Sequence, residues 1–176
     1  NHGVHPVVPE QGSVGASGDL APLAHFALVL VGEGRAEFEG HVQSGAESLA
    51  KAGLAPITLA PKEGLALING TQLSTGVLAL TLVRAGRVVR AALGANALSL
   101  EGLLGSIRAF DPRAMAVRPH PGQGRVARAL IALTGGSGIV ASHADCDRIQ
   151  DPYSLRCAPQ VMGASLDALA YATAVV

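Results

Sequence analysis

The stretch from residue 62 to residue 108 constrains this chain more than any other, because it contains no proline and very little charge. Between Leu65 and Leu100 the only charged side chains are Arg84, Arg87 and Arg90, spaced by three along one stripe. Once nucleated, such a sequence propagates as helix, since each added residue gains a backbone hydrogen bond. The pattern predicts a single helix from about Gly64 to Leu104, roughly 60 Å long at ~1.5 Å per residue. Apart from the arginine stripe, that helix needs cover on nearly all sides. A bilayer is not the expected cover. The 19 residues from Leu65 to Val83 include six polar ones, Asn69, Thr71, Gln72, Ser74, Thr75 and Thr81, which need hydrogen-bond partners or a ligand.

The rest of the chain is read around this element. Its 49% hydrophobic content excludes disorder. With aromatics at 3% and no Trp, the core is built from small aliphatic side chains, as in closely packed helices. Thirteen cationic residues balance thirteen anionic ones, so there is no charge excess to bind nucleic acid. Residues 1–19, rich in Gly, Pro and Ser, read as loop. Leu20 to Val31 is apolar on every side and reads as a buried helix, with Asp19 as N-cap and Pro22 tolerated in the first turn. Residues 33–43 alternate weakly and suit a small β-hairpin, after which Ser44 and Glu47 fit a capping box opening a short helix that stops at Gly53. Residues 111–124 read as a Pro/Gly/His loop, Gly124 to Leu133 as helix, Gly135 to Gly138 as a break, and the chain from Ser142 as a further loop. A last helix is expected from near Pro159 to the end. The fold class is therefore mainly α, a long-helix bundle forming a single segment over residues 1–176. The start at Asn1 and the apolar run from Leu169 to Val176 lead us to expect a fragment of a longer chain. Oligomerisation or the remaining segments would cover its apolar faces. Two cysteines, Cys146 and Cys157, are too few for a disulfide scaffold and suit a reducing cytoplasm.

Residues 12–19, GSVGASGD, form the sharpest local feature. Three glycines ahead of a helix resemble a phosphate-binding turn, but no Gly-Lys-Ser/Thr follows. The order Ala16-Ser17-Gly18 permits another chemistry. In a compressed turn the Gly18 amide nitrogen attacks the Ala16 carbonyl carbon, and loss of two waters turns Ser17 into a dehydroalanine within a five-membered ring. Glycine suits the third place because its nitrogen is unhindered and its backbone accepts unusual angles. Ala leaves the attacked carbonyl open, and Ser supplies the departing hydroxyl. The product is an electrophile that requires neither a metal nor a soluble cofactor. His143, Asp145, Cys146 and Asp147 lack the spacing of a tetrahedral metal site, so no metal is expected. The glycosylation sequon at Asn69-Gly70-Thr71 falls inside the predicted helix and is discounted.

Three segments carry a resemblance: GSVGASGDLAPLAH at 12–25, KEGLALINGTQ at 62–72, and QDPYSLRC at 150–157 followed by Pro159-Gln160-Val161-Met162-Gly163. Together they resemble the aromatic amino acid ammonia-lyases along essentially the whole chain. Pro152-Tyr153-Ser154 is similar to the histidine-acting branch, whereas phenylalanine and tyrosine members tend to carry Arg-Tyr-Ala there. The resemblance implies a helical bundle of the fumarase/aspartase-like type. It also implies that Ala16, Ser17 and Gly18 become a 4-methylidene-imidazol-5-one group (MIO). By the same resemblance, Asn69 hydrogen-bonds near the MIO, Tyr153 stands beside it, Arg156 grips the substrate carboxylate and Gln150 lines the pocket. The implied reaction is elimination of ammonia from L-histidine to give trans-urocanate, the first step of histidine breakdown, in a cytoplasmic homotetramer. Two alternatives stand beside it: another MIO enzyme (a phenylalanine or tyrosine lyase or an aminomutase), or a structural core that catalyses nothing. These 176 residues alone are expected to show little activity, because family members are longer and assemble their sites from several subunits.

Overall fold

The computed structural model describes residues 1–15 and 19–176. Ala16, Ser17 and Gly18, the expected source of the MIO, lie outside the described residues. The chain divides into two compact units, Asn1–Leu78 and Ala79–Val176, and the division falls within one helix.

In the first unit, strands β1 (His5–Pro6), β2 (Arg35–Phe38) and β3 (His41–Ser44) form an antiparallel sheet in that order. The expected hairpin is β2–β3, with Phe38 opposite His41. Its two turn residues, Glu39 and Gly40, both have positive φ (49° and 80°), the mirror-image turn that matches strand twist. The reading of residues 1–19 as loop is corrected at β1, which pairs His5 with Glu37 and Pro6 with Ala36. Pro6 lacks an N–H to donate, so it suits a short edge strand, and its partner lies too far along the chain for local pattern to reveal.

Helix α1 (Leu20–Leu30) buries Pro22, Leu23 and Val29 but leaves Leu20, Phe26 and Leu30 exposed. The expectation of burial on every side therefore does not hold within this chain. Asp19 occupies the N-cap position without capping, because its carboxylate accepts the hydroxyls of Ser13 and Ser74 instead. Helix α2 (Gly45–Lys51) opens with the capping box as read: Glu47 N–H donates to Ser44 Oγ at 3.3 Å, and Ser44 N–H donates to Glu47 Oε2 at 3.2 Å. Buried Ser48 donates to the Ala36 carbonyl at 3.4 Å and ties α2 to the sheet.

The single long helix is also corrected. Helix α3 (Glu63–Ile68) ends at Asn69, which is extended (φ −108°, ψ 101°), and α4 (Gln72–Gly102) begins after Thr71. Asn and Thr side chains compete with helical backbone bonds, and Gly70 between them adds backbone freedom, so the helix breaks there. By length and composition alone the stretch Glu63–Gly102 passes as a membrane-crossing helix. Only Ala97 and Leu100 of α4 are buried, while Leu80, Val83, Val88 and Leu98 stay more than half exposed.

The second unit continues from α4 through a 3-10 turn (Ile107–Phe110) to α5 (Pro112–Val117), α6 (Pro121–Leu133), α7 (Gly138–Ala141), α8 (Tyr153–Arg156) and α9 (Ala158–Val175). Residues 111–124 are thus largely helical rather than loop. Pro112 and Pro121 sit in first turns, where a missing N–H costs nothing, and the Asp111 carboxylate accepts Arg113 N–H at 2.8 Å as the cap of α5. Leu100, Phe110, Val126, Leu130, Leu155 and Ala158 make the core. Helices α6 and α9 meet backbone to backbone at Gly122 and Gly163, where a Cβ on either residue would overlap the facing main chain. The mainly α class agrees with the sequence reading.

Candidate active site

In the second unit the segment from Ser142 to Pro152 is held by long-range bonds rather than by regular structure. Arg108 Nη2 donates to the Ala144 carbonyl at 2.6 Å. Asp151 is the main anchor: its Oδ2 accepts Ser106 N–H at 2.6 Å, and its Oδ1 receives Arg148 Nη1 at 3.4 Å. The Asp151 side chain is only 6% exposed, so those donors satisfy a carboxylate that burial would otherwise penalise. Leu155 and Cys157 then point into the core and fix the short helix α8.

This anchoring brings three of the expected site residues together. Gln150, Tyr153 and Arg156 line one depression, and Gln150 and Arg156 also line an adjoining cavity of about 120 Å3 with Arg108 and His143. Tyr153 is 67% exposed, with the Arg156 guanidinium over its ring at 5.0 Å from the centroid, a cation–π contact that orients both side chains. Arg156 Nε is buried and has no hydrogen-bond partner among the described residues. A buried guanidinium N–H without an acceptor is costly unless a ligand supplies one, and a carboxylate matches its planar fork.

The fourth expected residue, Asn69, lies in the first unit, exposed at the break between α3 and α4. Ser74 follows in the first turns of α4 and donates to Asp19 Oδ2, while Ser13 donates to Asp19 Oδ1. The Ser13 and then the Ser74 hydrogen bonds hold the Asp19 carboxyl below its ordinary value, because both favour the charged form. Sequence reasoning missed Asp151, Ser13 and Ser74 as site-building residues. Each acts through a tertiary partner, although the acidic neighbour of Gln150 was a visible signal. Among the described residues no three His, Cys, Asp or Glu side chains converge as metal ligands.

A family model described as aromatic amino acid lyase matches residues 1–176. The chain belongs to that family. It is 62% identical over all 176 residues to histidine ammonia-lyase of Gloeobacter violaceus, and 62% identical over 173 residues to that of Sorangium cellulosum. In each case it spans 34% of the relative's length, about a third. Among solved structures it is similar to the phenylalanine aminomutase of Pantoea agglomerans (TM-score 0.84, 36% identity, 98% of this chain and 36% of that one). It is also similar to histidine ammonia-lyase from Trypanosoma cruzi (TM-score 0.76, 42% identity, 97% of this chain and 30% of that one). Lyases and aminomutases share this architecture, so the backbone alone does not choose among their substrates.

Proposed function

We propose that this chain is the central segment of a histidine ammonia-lyase that converts L-histidine to trans-urocanate and ammonia, opening histidine degradation. The observation that carries the reading is the 62% identity to histidine ammonia-lyases across the whole chain. The residues suit an MIO: Ala, Ser and Gly occupy positions 16–18, and the Ser13–Asp19 bond ties together the chain on either side. Once formed, that group supplies the electrophile that draws electron density from the substrate and eases departure of its amine.

The chain's own residues perform the remaining work. Arg156, whose buried Nε has no partner among the described residues, receives the substrate carboxylate, and Gln150 lines the same wall. Tyr153, whose ring lies under that guanidinium, exchanges a proton with the bound amino acid in this reading. Asn69 contributes an amide toward the electrophile. Fixed donors of this kind stabilise developing charge without reorganising during the reaction. Self-association, as a homotetramer, belongs to the same reading and is supported by exposed apolar residues such as Leu98 (70%) on α4 and Tyr171 (74%) on α9. So does a cytoplasmic setting, where Cys146 and Cys157 stay reduced.

The test is Ser17→Ala in the full-length protein. Urocanate formation is expected to fall to a small remnant with the circular dichroism spectrum unchanged, and retained turnover would contradict the assignment. The aminomutase likeness favours one second reading, a phenylalanine- or tyrosine-acting MIO enzyme. Turnover of phenylalanine in preference to histidine would establish it.

A further inference from the structure

Asp19 immediately follows the tripeptide at 16–18, is only 3% exposed, and has both carboxylate oxygens engaged by hydroxyls rather than by the helix it precedes. Ser13 Oγ–H donates to Oδ1 at 2.5 Å and Ser74 Oγ–H donates to Oδ2. Ser13 Oγ in turn accepts Gly15 N–H at 3.1 Å. The residue entering the tripeptide and the residue leaving it are therefore joined by an unbroken path, Gly15–Ser13–Asp19. Gly15 has φ +70°, a left-handed conformation that a side chain would disfavour and that turns the chain back toward Ser13. Through Ser74 the path is fastened to the first turn of α4.

We infer that Ser74 and Ser13 are positioning residues for closure of the Ala16–Ser17–Gly18 ring, acting through the Asp19 carboxylate. The inference rests on the MIO reading above. In the closure a bond forms between Gly18 N and the Ala16 carbonyl carbon. The Ala16 oxygen leaves as water with the amide hydrogens of Ser17 and Gly18. The Ser17 hydroxyl leaves as a second water with the Ser17 α-hydrogen, and no oxidant or reductant is consumed. The unfavourable part is holding Gly18 N against an unreactive amide carbonyl long enough to react. Fixing both flanks removes chain freedom before that encounter and raises the effective concentration of the two atoms. One tie would leave the exit end free to swing, whereas the pair of hydroxyls fixes Asp19 from two directions.

The test follows ring closure by intact mass in the full-length protein. Ser74→Ala, Ser13→Ala and Ser74→Thr are each refolded beside the unsubstituted chain, all from denatured precursor that still has its full sequence mass, and loss of two waters is timed against recovery of circular dichroism. Ser74→Ala is expected to regain its fold yet lose the waters about tenfold more slowly or worse, the factor that ~1.4 kcal/mol corresponds to. Ser74→Thr keeps the hydroxyl and is expected to restore the rate. Closure at the unsubstituted rate in folded Ser74→Ala overturns the inference. If Ser74→Ala does not fold, Ser13→Ala, which alters only the loop, decides by the same criterion. An unsubstituted protein that never loses the waters overturns the MIO reading itself, a separate result.

Discussion

A methyl group added at Gly163 tests the packing that carries the candidate site. Its Cβ would lie 2.3 Å from Gln123 N, 2.5 Å from Gln123 Cα and 2.7 Å from Gly122 C. Non-bonded carbons settle at about 3.5–4.0 Å, so α6 and α9 would have to separate by roughly 1 Å. No side chain can rotate away to absorb this, because the obstructing atoms are backbone. Separation would loosen Val126, Ala127 and Leu130 on α6 from Ala158 and Met162 on α9, all part of one core. Overpacking of this kind costs about 1–3 kcal/mol, and backbone against backbone belongs at the upper end. For a chain of this size that lowers Tm by roughly 4–10 °C. Gly124→Ala is the control on the same helix: its Cβ would meet only the flexible Arg128 Nη1, at 3.4 Å. It should gain up to about 1 kcal/mol of helix propensity. The assay is thermal unfolding of both variants beside the unsubstituted protein. A Gly163→Ala protein that melts no lower than Gly124→Ala would refute the close-contact account of the α6–α9 crossing.

Three further outcomes follow from the site and its supports. Arg156→Lys keeps the charge but loses the fork, so KM for histidine should rise by roughly tenfold or more while kcat changes less; unchanged constants would remove Arg156 from the pocket. Asp151→Ala should lower kcat/KM with little change in far-ultraviolet circular dichroism, and Asp151→Asn, which still accepts from Ser106 N–H, should recover part of it; equal activity in both variants and the unsubstituted protein would contradict the anchoring role. Asp111 is pulled down to about 2, first by its side-chain hydrogen bond to Arg113. Because the folded value is depressed, its charge stabilises the fold fully above the ordinary carboxylate value of about 4. That contribution disappears as pH falls toward 2, so the stability gap between unsubstituted protein and Asp111→Asn should close over that range; a gap independent of pH would show that the charge contributes nothing.

What was legible in the sequence was what a few neighbouring residues decide. Ser44 and Glu47 satisfy each other's backbone groups across three residues, so their capping box could be read directly. Glu39-Gly40 turns a hairpin by local backbone preference. Other features were decided elsewhere in the chain. Strand β1 exists because β2 passes beside it, and Asp19 leaves its capping role because Ser74, 55 residues on, supplies a donor. The prolines at 112 and 121 misled for a different reason: a proline marks a boundary equally well from inside a first turn as from a loop. At the site, motif resemblance singled out Gln150, Tyr153 and Arg156, and the fold gathers them on one wall. Their support by Asp151 depends on Ser106, 45 residues upstream, which no local pattern encodes.

The most direct measurement is a peptide-resolved mass of the full-length protein, taken on the same preparation whose histidine turnover is assayed by urocanate absorbance. The account predicts that the peptide spanning Ala16, Ser17 and Gly18 is lighter than its sequence by two waters in the active preparation. An unmodified peptide in a preparation that consumes histidine at full rate would contradict it.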